Sequence, residues 1–378
     1  MDSFFRDAYK YLVSRIENSL KSVNKSTMQS CLDILDNGKQ DKRVTIDGAG
    51  RSLQSALLLA NELENLYGIR VNQVNNANLR PLREGDIFIV NSRSGSGKAI
   101  EDAEFALKKG LSVIYITGNS ELEDKFENVI LVKGDINHER KYAPLGTEFE
   151  HASAVLCSCM GYAYDKSDKI EAFDTSCNHV IGGLHSNLQE LEKQEKPIAS
   201  YTSVINDFLD PNNDRVVYFK GVGINEIISR VIAIRYGHLH KESMKDLNVV
   251  YESHWKSRRK DDLAVLISGS GETDQILKYA QQAGDVGMKL FTITSFKESN
   301  LARTNKWYRK YQGNLIIEGR PEMVSYYNKS IHKVTKTFFP QFELNTYITL
   351  DTLLALIAKN NDITEEDMKK THRDKKLE

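Results

Sequence analysis

Apolar residues in this chain recur in two rhythms. Near the N-terminus Phe4, Phe5, Ala8, Tyr11, Leu12 and Ile16 fall at three-to-four spacing, which predicts a helix. A second helical stretch over 28–35 stops at Asn37-Gly38, a pair suited to a C-cap. The rhythm then changes. Val44 and Ile46 read as a short buried strand, Gly48-Ala49-Gly50 as the turn after it, and 53–66 as a helix. The next strand is 87–90, followed by a Ser/Gly loop and a helix over 99–109. Two further strands are expected at 111–118 and 128–134, and a helix at 149–162. Strands alternating with helices predict an α/β fold, a parallel sheet covered by helices on both faces.

The same order then recurs. Helical stretches at 184–195 and 203–209 lead to RVVYFKGVG at 215–223 and a helix through Arg235. DIFIVNSRSGSG at 86–97 is matched by DLAVLISGSGET at 262–273, and GLSVIYITG at 110–118 by GMKLFTITS at 287–295. NVILVKG at 128–134 is matched by NLIIEG at 314–319, and the helix at 149 by FELNTYITLDTLLALI at 342–357. The offset, 176 residues at the first of these matches and 193 at the last, is a whole domain, far beyond the period of a solenoid. Two copies of one three-layer domain are therefore expected, at 1–170 and 171–378, each with leading helices. The join lies in polar, weakly periodic sequence at 165–179, and a charged tail follows Lys359.

Composition narrows the class. With 378 residues the chain has room for two or three domains, and 40% hydrophobic with 27% charged residues suits a globular protein. Lys+Arg is 51 against Asp+Glu 52, so nothing in the charge balance points to nucleic acid or an anionic membrane. No apolar run approaches a spanning helix, and the acidic, polar start does not read as a signal peptide. Four cysteines make no disulfide framework, which points to the cytoplasm. Cys157-Ser158-Cys159 is not a CxxC motif. Both cysteines read as small core residues, and no spaced His/Cys cluster suggests a metal.

The candidate chemistry sits in loops after strands. In a parallel sheet the carboxyl ends of the strands form the ligand crevice. Ser92, Ser94 and Ser96 with their glycines form one such loop, and Ser268, Gly269, Ser270, Gly271 and Thr273 form its counterpart. Hydroxyls, backbone N–H groups and a helix N-terminus suit a phosphate dianion, although a Ser/Gly loop is also a tight turn. Neither loop has Walker A spacing. Gly48/Gly50 and Gly221/Gly223 hint at a dinucleotide fingerprint, but its third glycine is replaced by Leu53 and Glu226.

These residues carry a family resemblance. GAGRS at 48–52, ISGSGET at 267–273, APLGTEFE at 143–150 and FELNTYITLD at 342–351 resemble the sugar isomerase (SIS) domain, in its 6-phospho-3-hexuloisomerase branch. The tail at 365–378 resembles that branch's tail, with His372 in its histidine position. The resemblance covers almost the whole chain as two copies of one subunit. It implies phosphosugar binding by the Ser/Thr loop, conversion of 3-hexulose 6-phosphate to fructose 6-phosphate, no metal or organic cofactor, and sites at subunit interfaces. A fused pair would then fold as an internal pseudo-dimer, with even-numbered pairing of chains into a dimer of tandem chains.

Each half departs from the pattern differently. The first keeps Gly48, Gly50, Arg51 and Ser52 but has Ser96-Gly97 for the Glu-Thr of the loop, and Asn65 at the family's histidine position. The second keeps Ser268, Ser270, Thr273 and His238, but has Ile224-Asn225 for Arg-Ser and only Pro340-Gln341-Phe342-Glu343 of the APLGTxFE motif.

Shifting a carbonyl along a sugar needs a base to carry a proton between neighbouring carbons and donors to steady the enediolate. A desolvated carboxylate can serve. By resemblance Glu150 and Glu343 are candidates for it, although an acid at a helix start also complements the dipole. His238 and His372 are candidates for proton transfer between oxygens, against the alternatives of a partly exposed helix and a solvated tail. Arg51 can pair with phosphate. One composite site could draw Arg51 with Ser52 or Glu150 from the first half and Ser268, Ser270, Thr273 and His238 from the second. The expected activity is hexuloisomerase-like. The alternatives are a sugar-phosphate sensor without turnover, a phosphoglucose/phosphomannose-type isomerase, or the isomerase half of an aminosugar synthase.

Overall fold

The computed structural model describes residues 2–37, 42–74, 76, 81–133, 139–244, 249–250, 255, 257–321 and 339–373, without the side chains of 37, 66, 250, 372 and 373. These residues form two compact units. One comprises Met1–Leu12, His138–Gly146 and Gly183–Glu378, and the other Val13–Asn137 and Thr147–Gly182.

The unit built mainly from the first half holds a five-stranded sheet of β1 (Val44–Gly48), β2 (Val71–Gln73), β3 (Ile87–Asn91), β4 (Ser112–Thr117) and β5 (Asn128–Leu131). The order is β2-β1-β3-β4-β5, and every pairing is parallel. All five residues of β1 and of β3 are buried, as a strand covered on both faces requires. Helices α3 (Gly50–Tyr67), α4 (Lys98–Lys108) and α5 (Glu148–Ala163) follow β1, β3 and β5. One core under α4 joins Phe88, Val90, Ala103, Ala106, Val113 and Tyr115.

The second unit repeats this plan. Its strands are β6 (Val217–Lys220), β7 (Val249–Val250), β8 (Leu263–Ile267), β9 (Lys289–Thr294) and β10 (Tyr311–Ile316). They lie in the order β10-β9-β8-β6-β7, the first sheet's order read from its other edge, again all parallel. Helices α8 (Ile224–Tyr236), α9 (Asp274–Val286) and α10 (Gln341–Asn360) match α3, α4 and α5. The α9 core joins Tyr218, Ala264, Leu266, Ile276, Ala280 and Ala283. In both sheets the order reverses beside the first strand. This switch point, β1/β3 and β6/β8, places the glycine loop and the Ser/Gly loop at one crevice.

Several expectations change. The supposed join at 165–179 is mostly helix, because α6 runs from Lys169 to Leu191. Phe173, Cys177, Val180 and Leu184 supply a buried stripe at helical spacing there. The two stretches expected at 184–195 and 203–209 become the end of α6 and all of α7 (Glu195–Leu209). Edge strands β2 and β7 carry no apolar run long enough to announce them. The tail folds into α11 (Glu365–Arg373). Ahead of these elements lie α1 (Ser3–Lys21) and α2 (Lys25–Asn37), with Gly38 and Gly134 outside the described residues. The four cysteines are free and buried, Cys157 and Cys159 fully. Burial pushes the Cys31 thiol up to about 12.

Candidate functional site

In the second-half crevice β6 ends against the start of α8. Gly221 is needed there: a Cβ at this position would lie 2.1 Å from the Asn225 carbonyl oxygen. Gly223 caps α8 with φ 63°. The loop after β8 is braced by its own side chains. Ser268 Oγ lies 3.1 Å from Thr273 Oγ1 and accepts from Gly271 N at 3.2 Å, and Ser270 Oγ accepts from Glu272 N at 3.1 Å. The Glu272 carboxylate accepts from Asn300 N and Nδ2, both at 2.7 Å. Ser268 and Ser270 are buried, and Thr273 is the N-cap residue of α9. The first backbone N–H groups of α9 thus open onto the crevice, as at anion sites of helix N-termini. A cavity of about 350 Å³ lies at the carboxyl ends of β9 and β10, lined by Ser295, Phe296, Ile316 and Glu318 among others. It adjoins the loop, since Ser295 N donates to the Gly269 carbonyl at 3.0 Å.

Glu343, in the first turn of α10, is fully buried. Its Oε1 accepts from Asn225 Nδ2 at 2.9 Å and pairs with Arg320, while Oε2 makes no hydrogen bond among the described residues. Asn225 and Glu343 thereby join the starts of α8 and α10. Farther along the same two helices Arg235 Nε donates to Asp351 Oδ1 at 2.6 Å, with both side chains buried.

His238 lies beyond the other end of α8, roughly 20 Å of helical rise from Asn225. It is buried, and its Nδ1 lies 2.6 Å from Thr371 Oγ1 of α11. The unit therefore does not bring His238 to Glu343. It brings His238 to the tail instead, beside His372, whose side chain is outside the described residues.

The first-half crevice is built alike but charged differently. Gly48 closes β1, and Gly50 opens α3, whose first turn carries Arg51 and Ser52. Arg51 Nη2 lies 3.7 Å from Glu150 Oε1, with both side chains largely buried. The Ser52 carbonyl accepts from Asn91 Nδ2 at 2.7 Å, and Ser55 Oγ donates to the Glu150 carbonyl at 2.9 Å. Ser94 and Ser96 are exposed, and their hydroxyls lie 2.7 Å apart. Ser92 is half-buried, and Asn65 sits exposed on α3.

Four residues that the sequence reading passed over join these crevices: Asp47, Asn91, Lys220 and Arg320. Asp47 is the last side chain of β1 and is buried. Burial pushes its carboxyl up to about 6 despite the hydrogen bond from Gly48 N, with Asp102 adding to the rise and Lys98 opposing it. The matching residue before Gly221 is Lys220, also buried, whose ammonium lies 4.5 Å from the Tyr279 ring centroid. A charged residue ending an otherwise apolar strand was the available signal for both.

The geometry has parallels in known proteins. A model of the SIS domain matches residues 213–319. A protein of Archaeoglobus fulgidus described only as uncharacterized is 30% identical over 158 residues, 42% of this chain and 79% of its own length. The chain belongs to the SIS domain family. A 3-hexulose-6-phosphate isomerase of Methylomonas aminofaciens is 24% identical over 188 residues, 47% of this SIS chain and 96% of that enzyme. Such matches cover most of the relative and less than half of the chain, as a duplicated domain requires. The C-terminal domain of glucosamine-fructose-6-phosphate aminotransferase from Francisella tularensis shares the fold, with a TM-score of 0.63 and 12% identity over 95% of this chain and 97% of that one. Among the described residues no helix is long and apolar enough to cross a membrane.

Proposed function

We propose that this SIS protein is a sugar-phosphate isomerase that shifts a carbonyl between neighbouring carbons, converting 3-hexulose 6-phosphate to fructose 6-phosphate. The observation that carries this reading is a buried carboxylate, Glu343, in the unit that holds a braced Ser/Gly loop at the carboxyl end of a parallel sheet. The likeness to the Methylomonas aminofaciens enzyme supports the choice of substrate.

In this reading the loop and the N-terminus of α9 hold the phosphate. Glu343 takes the proton from C2 of the 3-hexulose, and the electron pair forms the 2,3-enediolate with its charge on O3. The proton returns to C3 while a hydroxyl proton passes from O2 to O3, leaving the carbonyl at C2. Asn225 fixes the carboxylate's orientation. The first-half crevice, with Glu150 and Arg51, is a second binding place of altered specificity.

One observation favours a second reading, a sensor that binds without turnover. The Glu343 oxygen Oε1 is already engaged by both an arginine and an asparagine, and a carboxylate so held can serve to bind a ligand without reacting with it. Incubating the full chain with hexose and hexulose 6-phosphates and following products by NMR separates the two. The proposal expects 3-hexulose 6-phosphate and fructose 6-phosphate to interconvert. Saturable binding of fructose 6-phosphate with no product from any substrate would leave the sensor.

A further inference from the structure

Glu343 and Glu150 stand at matching places, yet the arginines they meet come from different parts of the fold. Arg51 lies in the first turn of α3. Its counterpart in α8 is Ile224, which carries no charge. The cation that reaches Glu343 is Arg320, which follows Gly319 beyond the end of β10. We propose that Arg320 has replaced the arginine missing from α8: it positions Glu343 and supplies the positive charge with which the second-half crevice meets a phosphate-bearing ligand. The ligand class rests on the function proposed above.

The placement of the guanidinium is specific. Its side chain is 9% exposed and pairs with the same Glu343 oxygen that Asn225 holds. A planar, always-charged group suits such a buried carboxylate contact. Arg320 also covers the Ser/Gly loop. A Cβ on Gly269 would lie 2.3 Å from Arg320 Nε and 2.7 Å from its Cγ, so the absent side chain of Gly269 is the room the arginine occupies. One cation therefore touches both the loop between Ser268 and Ser270 and the carboxylate of α10. An ion pair with a merely structural role needs only the second contact. The backbone secures the approach: Gly319 has φ 128°, and a Cβ there would lie 2.3 Å from Phe342 N, so the chain passes hard against the start of α10 just before Arg320.

The test uses the full chain as wild type, Arg320→Ala, Arg320→Lys, Gly269→Ala and the double variant Ile224→Arg/Arg320→Ala. Fructose 6-phosphate and inorganic phosphate are the probes, read by ligand-induced melting shift, with isomerisation followed by NMR. Arg320→Ala should weaken fructose 6-phosphate binding at least tenfold and lower kcat more than it raises KM. Arg320→Lys, which keeps charge and fold, should recover only part of this, because an ammonium cannot span loop and carboxylate. Gly269→Ala, which displaces the arginine without removing it, should copy the alanine variant, and the double variant should regain binding. If Arg320→Ala binds and turns over like wild type, the inference falls and the isomerase reading stands. If wild type binds but never isomerises and Arg320→Ala loses the binding, the inference stands and the isomerase reading falls. A wild-type chain that responds to neither probe overturns both.

Discussion

Asp47 shows how one side chain ties the crevice to stability. Its carboxyl is buried at the end of β1, Oδ1 accepts from Gly48 N at 2.8 Å, and Oδ2 makes no hydrogen bond among the described residues. The folded chain holds this proton up to about pH 6, against 3.8 for an ordinary aspartate. Between those values the folded state binds more protons than the unfolded one, so stability falls as pH rises through the window. Asp47→Asn should therefore stabilise the fold at pH 7.5 by on the order of 1 kcal/mol after allowance for solvent screening, read as a higher melting temperature. The gain should shrink as pH falls toward 4, and a gain equal at both pH values would refute the burial argument. Asp47 is not legible in the sequence as a site residue because its burial depends on the sheet and helices that pack around the end of β1. Arg320 was illegible for another reason: its meetings with Glu343 and Gly269 are tertiary, and no spacing rule connects them.

Helices α8 and α10 are the elements that hold Glu343 in place. They meet at Asn225–Glu343 and again at Arg235–Asp351, and every residue from Gln341 to Ala358 is buried. A helix apolar on most sides with a few polar residues must satisfy those residues locally. Removing one partner of the Arg235–Asp351 pair leaves a buried charge uncompensated, at a cost of about 3–5 kcal/mol. Asp351→Asn should lower urea stability by that order, whereas the double replacement Arg235→Met/Asp351→Leu should cost far less. Equal losses would show that the pair contributes packing alone. At this scale the sequence was most informative. Buried parallel strands are short apolar runs, and β1, β3, β4, β5, β6, β8, β9 and β10 all announced themselves so. The three residues of β2 and two of β7 did not, and α6 was hidden because its buried stripe includes a cysteine among polar neighbours.

At the level of the whole molecule, duplication allowed the two crevices to diverge. Asp47, Lys98 and Asp102 in the first half stand where Lys220, Asp274 and Lys278 stand in the second, a reversal of sign at all three positions. The first-half loop leaves Ser94 and Ser96 exposed, whereas Ser268 and Ser270 are buried and hydrogen-bonded. In the proposed reading the phosphate falls to the second set, which has the extra positive charge and the braced loop. The duplication itself was readable from matched strands. The reversal of charge is not legible in any one segment, because its three positions lie on a strand end and on the helix that faces it.

The central claim is that the second-half carboxylate moves a carbon-bound proton of a sugar phosphate. The direct measurement is solvent exchange into fructose 6-phosphate in D₂O, followed by NMR for wild type, Glu343→Gln and Glu150→Gln. The account predicts deuterium entering at C3 with wild type, a loss of at least about 100-fold in Glu343→Gln, the scale of a removed general base, and a much smaller change in Glu150→Gln. Exchange that persists at the wild-type rate in Glu343→Gln, or its absence from wild type itself, would contradict it.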